Sequence, residues 1–169
     1  MGNDSNELKR KGKRLIKEGC ALIDTSNRTK DIDKKSILGL ASRKINFTIL
    51  MISSEKKKIF DKLITKYSEN RTYAIMHAVK LYYALQKNIS LLPAIYICGE
   101  GLNRGLLKHN LQLLLKEGYN ENKIKILPSL KSMFGKRNIA DRLAYKVRKN
   151  NQKPTIEIGE KAFKKLGLL

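Results

Sequence analysis

The chain is poor in several things, and each shortage removes a class of protein. It has only two cysteines in 169 residues, Cys20 and Cys98, both inside apolar runs. A disulfide framework is therefore not expected, and two small buried thiols in a reducing, cytoplasmic setting are. No apolar stretch reaches the ~18 residues that a membrane-spanning helix needs, and no leader-like segment opens the chain. The two histidines, His77 and His109, have no cysteine or acidic partner at metal-ligand spacing, so a zinc site is not expected. A GxSxG nucleophile motif is absent as well. The scarcest feature is negative charge: 15 Asp and Glu stand against 36 Lys and Arg, for a net charge of +21.

Such a surface attracts polyanions, and phosphate backbones are the most abundant polyanion in a cell. The chain is also rich in lysine, isoleucine and asparagine, as in proteins from AT-rich genomes. That bias explains many lysines but not the shortage of acids. A nucleic-acid partner, RNA slightly ahead of DNA, is the expectation. With 41% hydrophobic residues, the body of the chain is long enough to bury one core.

Residues 1–19 are polar and basic, and read as a helix or an arm that orders on nucleic acid. Residues 20–169 read as one domain. "CALID" (20–24), "SILGLAS" (36–42) and "INFTILMIS" (45–53) are short apolar runs separated by turn-prone segments, which predicts three strands joined as antiparallel hairpins. From Ser54, a plausible N-cap, the apolar period becomes helical through residue 88, with a break near 68–70. "AIYIC" (94–98) and "KIKILPS" (123–129) predict two more strands, with the helix "LLKHNLQLLLKEG" (106–118) between them. "NIADRLAYKVRKN" (138–150) predicts a helix with Ile139, Leu143 and Val147 inward. The tail adds a short strand and a last helical turn. The order β-β-β-α-β-α-β-α implies an α/β domain whose mixed sheet carries helices on its faces.

Against so few acids, position is informative. Glu55, Asp61, Glu117, Glu121, Glu157 and Glu160 lie beside lysines and read as solvated surface. Asp24 ends the first strand, Glu100 follows the fourth, and Asp141 sits in "NIADRLAYKV" beside Ala140 and Ala144. Each has an ordinary explanation: a turn-starting aspartate for Asp24, a loop residue for Glu100, a dipole-complementing first-turn acid for Asp141.

Taken together they carry a resemblance. "ALIDTSNR" is similar to the strand-one "IDxxGRG" segment of type 2 ribonucleases H. "YAIMHAVKLYYALQKN" followed by "PAIYICGEG" is similar to their helix and following strand, and "IADRLAYKV" resembles the closing acidic helix of the ribonuclease H-like superfamily. The resemblance covers roughly residues 20–150 and rests on order and spacing. It implies a site in which Asp24, Glu100 and Asp141 hold two Mg²⁺ or Mn²⁺ ions and hydrolyse a phosphodiester, with Arg28, Lys30, Arg104, Arg142 and Arg148 holding phosphates nearby. The chemistry is coherent: hard cations take oxygen ligands, paired ions activate water and stabilise the leaving oxygen, and clustered carboxylates without a cation repel one another. Three departures stand out. Cys98-Gly99 intervene before Glu100, the fourth acid has only Asp31, Asp33 or Glu69 as candidates, and the strand-one glycines are missing. A binding-only member of the same fold, working within a ribonucleoprotein, is the alternative. "GEGLNRG" (99–105) also reads as a phosphate cradle at a helix N-terminus, although such loops normally follow a first strand.

Overall fold

The computed structural model describes residues 3–169. Its order is α1 (Asn3–Lys17), β1 (Ala21–Ser26), β2 (Ser36–Ala41), β3 (Asn46–Met51), α2 (Ser53–Leu63), α3 (Glu69–Leu85), β4 (Ile95–Cys98), α4 (Arg104–Leu115), β5 (Ile124–Leu127), α5 (Lys131–Phe134), α6 (Ile139–Arg148), β6 (Ile156–Glu157) and α7 (Glu160–Lys165). The six strands form one mixed sheet in the order β5-β4-β1-β2-β3-β6. β2 runs antiparallel to β1 and β3, while β4 is parallel to β1, β5 to β4, and β6 to β3. The protein is thus an α/β fold with a central mixed sheet flanked by helices, as the apolar periods predict. β1 lies in the interior of the sheet, so whatever its end carries is bordered by strands on both sides.

Because side chains alternate along a strand, β1 serves two cores. Ala21 and Ile23 face the larger one, built with Ile95 and Ile97 of β4, Leu107 and Leu111 of α4, and the middle of α3. Leu22, with Cys20, faces a smaller one on the opposite side, closed by Leu130 and Ala140 and by the half-buried Leu15 and Ile16 of α1. α3 is buried nearly all round, which is why its sequence is apolar on every side rather than on one stripe.

Three details differ from the sequence reading. Ser54 lies inside α2, whose flanking residue is Ile52 without a side-chain cap. Ala140, Ala144 and Val147, rather than Ile139 and Leu143, form the buried line of α6. The reason is a close helix–sheet approach at Gly39 of β2, where an added Cβ would stand 2.5 Å from the Ala140 carbonyl oxygen; only small residues fit under the helix there. α5 was not anticipated, since four residues are too few to show a period.

Candidate functional site

Asp24 follows Leu22 by two positions on β1 and therefore points to the α6 face. Its pairing partner across β2 is Gly39. The bare glycine lets α6 settle so closely that its N-terminus comes beside Asp24. Asn138 caps that helix: its Oδ1 accepts from the backbone N–H groups of Ala140 and Asp141, both at 3.0 Å. Such a cap contributes roughly 1 kcal/mol. The same side chain spends its other end on the site, its Nδ2 donating to Asp24 Oδ2 at 2.7 Å. Asp24 Oδ1 accepts from the Thr25 backbone N–H at 2.9 Å. A carboxylate has about four acceptor positions, so Asp24 keeps about half of its capacity free.

One turn into α6, Asp141 is half-buried beside this aspartate. Burial, and then the charge of Asp24, push its carboxyl above the usual range, opposed by Arg148 and Arg137. Asp24 and Asp141 line one hollow of ≈ 360 Å³ together with Thr25, Arg28, Cys98, Glu100, Lys131 and Lys136. Cys98 sits one step past the Ile23–Ile97 pair and faces the Asp24 side of the sheet. Burial and then the Asp24 charge raise its thiol to about 11, so it is a neutral neighbour at pH 7 and not a thiolate.

Glu100 lines the same hollow, but its carboxylate is engaged by the β1–β2 loop rather than left open beside the pair. It follows β4 by two residues in a left-handed conformation, φ 56°, and its side chain is 1% exposed. The carboxylate accepts from the Thr25 hydroxyl, from the Thr29 backbone N–H at 3.0 Å and from the Thr29 hydroxyl at 2.7 Å. Thr25 belongs to the α3 face of β1, the opposite side from Asp24. Behind Thr29, Lys80 Nζ donates to Thr29 Oγ1 at 2.8 Å and Ser36 Oγ at 2.7 Å. His77 Nδ1 lies 3.3 Å from Thr29 Oγ1 and 3.5 Å from Glu100 Oε2. Burial alone would raise the Glu100 carboxyl; the positive neighbours His77 and Lys80 and the hydroxyl and amide donors outweigh it and hold it at about 2. Burial lowers His77 to about 4, leaving it neutral at pH 7, so Lys80 is the charge that balances Glu100 there. Burial pushes the Lys80 ammonium down and Glu100 pushes back.

Nearby, fully buried Lys56 of α2 donates to the carbonyls of Arg28 (3.2 Å), Asp31 (2.6 Å) and Lys34 (2.9 Å). Glu100, Lys80 and Lys56 thereby fasten the β1–β2 loop from within, and Arg28 on that loop is set at the rim of the hollow.

The remaining expected residues divide. Arg148 approaches from α6, its Nη1 3.3 Å from Asn27 Oδ1 and its guanidinium over the Tyr145 ring. Lys30 turns away to the Tyr73 ring. Arg104 lines a different hollow with Lys108, Tyr119 and Glu121, and Arg142 is exposed on α6. Asp31, Asp33 and Glu69 are not among the residues lining the Asp24 hollow. In "GEGLNRG", Asn103 caps α4 itself, accepting from the Leu106 N–H at 3.1 Å. Sequence reasoning missed Asn138, Lys131 and Lys136. It also missed the buried lysines, though His77 and Lys80, three apart on an otherwise apolar helix, were a visible signal.

Among the described residues no group of three or more His, Cys, Asp or Glu side chains is clustered closely enough to hold a metal ion, and no helix is long and apolar enough to cross a membrane. Both cysteines are free. Comparison of the chain with known protein families, with curated proteins and with solved structures found no match.

Proposed function

We propose that the protein is a nucleic-acid-binding, Mg²⁺- or Mn²⁺-dependent nuclease of ribonuclease H-like fold that hydrolyses phosphodiesters. The observation that carries this reading is the Asp24–Asp141 pair: two carboxylates from different elements, close enough for one to raise the other, in a hollow rimmed by Arg28, Lys131 and Lys136. The element order and the interior placement of β1 support it as well.

The donor set fits a hard divalent cation. Two carboxylates with free oxygen positions satisfy what Mg²⁺ takes from protein, water and substrate phosphate completing its shell. When bound, such a cation supplies Lewis-acid stabilisation of phosphoryl oxygens and a more acidic water. The chain's own residues do the rest. Asn138 fixes the Asp24 carboxylate by its amide and so sets where the free oxygen points. Arg28, Lys131 and Lys136 hold the phosphates on either side of the pair. Glu100, held inside, keeps the Arg28 loop in place and needs no cation to balance it.

The test is cleavage of a panel of single-stranded, duplex, hybrid and branched nucleic acids with either ion. Asp24→Asn and Asp141→Asn should each lower the rate on the order of 10³-fold, as loss of a pre-organised electrostatic group does, with affinity within twofold of wild type. A second reading is favoured by a specific feature: the Asp24 carboxylate is bonded to the neutral amide of Asn138, leaving two carboxylates, Asp24 and Asp141, open in the hollow. A non-catalytic RNA- or DNA-binding protein of the same fold, acting within a ribonucleoprotein, would need no more acids than these. Tight binding with no cleavage under either ion selects it.

A further inference from the structure

We infer that α1 is a fixed phosphate rail, which extends nucleic-acid contact beyond the Asp24–Asp141 hollow onto a duplex arm of the substrate. The inference deepens the nuclease reading and rests on its assignment of nucleic acid to the hollow.

Two independent features set this helix apart from a loose basic tail. The first is how it is held. Gly12 is buried, and a Cβ there would collide with the Met133 carbonyl of α5. Leu15 and Ile16 enter the smaller core beside Leu130 and Phe134. The helix ends in a left-handed Gly19, φ 88°, with the Cys20 N–H bonded to the Leu15 carbonyl at 3.0 Å and the Gly19 N–H to that of Ile16 at 3.1 Å. This is a closed C-terminal cap. Arg43 Nη1 donates to the Lys17 carbonyl at 2.9 Å, and β1 begins only four residues after α1 ends. The helix is joined rigidly to the strand that carries Asp24.

The second is where its charge points. At 100° per residue, Leu8, Gly12, Leu15 and Ile16 share the docked side, whereas Lys9, Arg10, Lys13, Arg14 and Lys17 fall within an arc of about 140° on the other, all of them exposed. Of these, Arg14 has an acid partner, Glu18 at 3.5 Å, with both side chains solvated. Such a pair is worth little and is readily exchanged for phosphate. From Lys9 to Lys17 the helix advances about 12 Å, a length over which duplex DNA presents about seven phosphates. α5, against which α1 packs, follows directly on Leu130 and begins with Lys131, both at the rim of the hollow. With Lys136 and Arg137 also exposed, cations run from the acid pair across α5 to α1. A short strand filling the hollow ends before this rail; a duplex arm continuing past it does not.

The experiment is fluorescence anisotropy of a 25-base-pair duplex and of a six-nucleotide strand against salt, with two variants. Lys9→Gln/Arg10→Gln/Lys13→Gln/Arg14→Gln removes the rail's charge; it should weaken duplex binding at least tenfold and reduce the log–log salt slope by about 3, while the six-nucleotide strand changes less than twofold. Gly12→Val keeps every charge but cannot dock against Met133. It should lose at least fivefold on the duplex, measured well below its melting temperature, where circular dichroism shows the body folded. Duplex affinity and slope unchanged in the first variant, or an equal loss on both ligands, overturns the proposal; wild-type duplex affinity in Gly12→Val shows a tethered arm and overturns the fixed rail. Failure of the nuclease reading is separate: it is persistence of cleavage in Asp24→Asn, or absence of any cleavage, and neither alters the expected salt slopes.

Discussion

Two adjacent residues of β1, Asp24 and Thr25, open onto opposite faces of the sheet and show two ways of handling a carboxylate. On the α6 face, Asp24 and Asp141 are partly solvated, line one hollow, and are left with unused acceptor positions. On the α3 face, Glu100 is sealed, surrounded by donors and balanced across Thr29 by Lys80. The first arrangement is electrostatically costly and open to an exchangeable partner. The second is complete and has no reason to exchange. Sites that bind and release ligands need the former, and loops that must hold still need the latter.

The comparison breaks most visibly in thermal melts. Removing the charge of Glu100 in Glu100→Gln leaves Lys80 buried without its counter-charge, which typically costs 3–5 kcal/mol. In a chain of this size that corresponds to a melting temperature lower by about 10 °C. Asp141→Asn, by contrast, relieves repulsion in a half-solvated pair, and its melting temperature should equal or slightly exceed that of wild type. Equal losses in the two variants would erase the distinction between the faces.

The pH dependence of stability comes from the sealed face. Below about pH 6.5 the unfolded chain protonates His77, whereas in the folded chain, among Glu100, Thr29 and Lys80, it stays neutral down to about pH 4. The unfolded state binds more protons, so stability falls across that window. Glu100 adds a second window: its folded value near 2 lies below the unfolded 4.5, so the stability it contributes is present above 4.5 and lost as pH falls toward 2. Urea midpoints at pH 7, 5 and 4 should decline steadily, and Glu100→Gln should lack the portion below 4.5.

A smaller effect sharpens the open face. Gly39→Ala sets a methyl against the Ala140 carbonyl and must lift α6, at a cost of roughly 1–3 kcal/mol. Because Asn138 and Asp141 ride on that helix, their spacing from Asp24 widens, and the pH midpoint of Asp141 by NMR should move back toward an ordinary carboxylate value.

Much of the frame was legible in the chain. The strand runs, the switch of period at Ser54 and the closing helix all appear where the apolar pattern put them, because each element buries one face against the sheet. Asp24 and Asp141 line one hollow, since strand ends and first helical turns are where such residues can converge. Glu100 was placed at the hollow by its position after β4, but the bonds its carboxylate makes were not legible. A residue two past a strand end can turn either way, and the left-handed backbone at Glu100 sends its carboxylate under Thr29. Asn138 was missed, and its bond to Asp24 depends on the close approach at Gly39, a tertiary fact that no local pattern carries. Lys56 was hidden for a related reason: a lysine beside other lysines reads as solvent-exposed, and only the carbonyls brought by the β1–β2 loop make its burial tolerable.

The most direct test of the central claim is Mn²⁺ binding measured by electron paramagnetic resonance, as loss of the free-ion signal on adding protein. Wild type and Glu100→Gln, kept well below its melting temperature, should both deplete free Mn²⁺, whereas Asp24→Asn and Asp141→Asn should each leave it nearly untouched. Binding that survives in both aspartate variants, or that Glu100→Gln abolishes as fully as they do, would contradict the account.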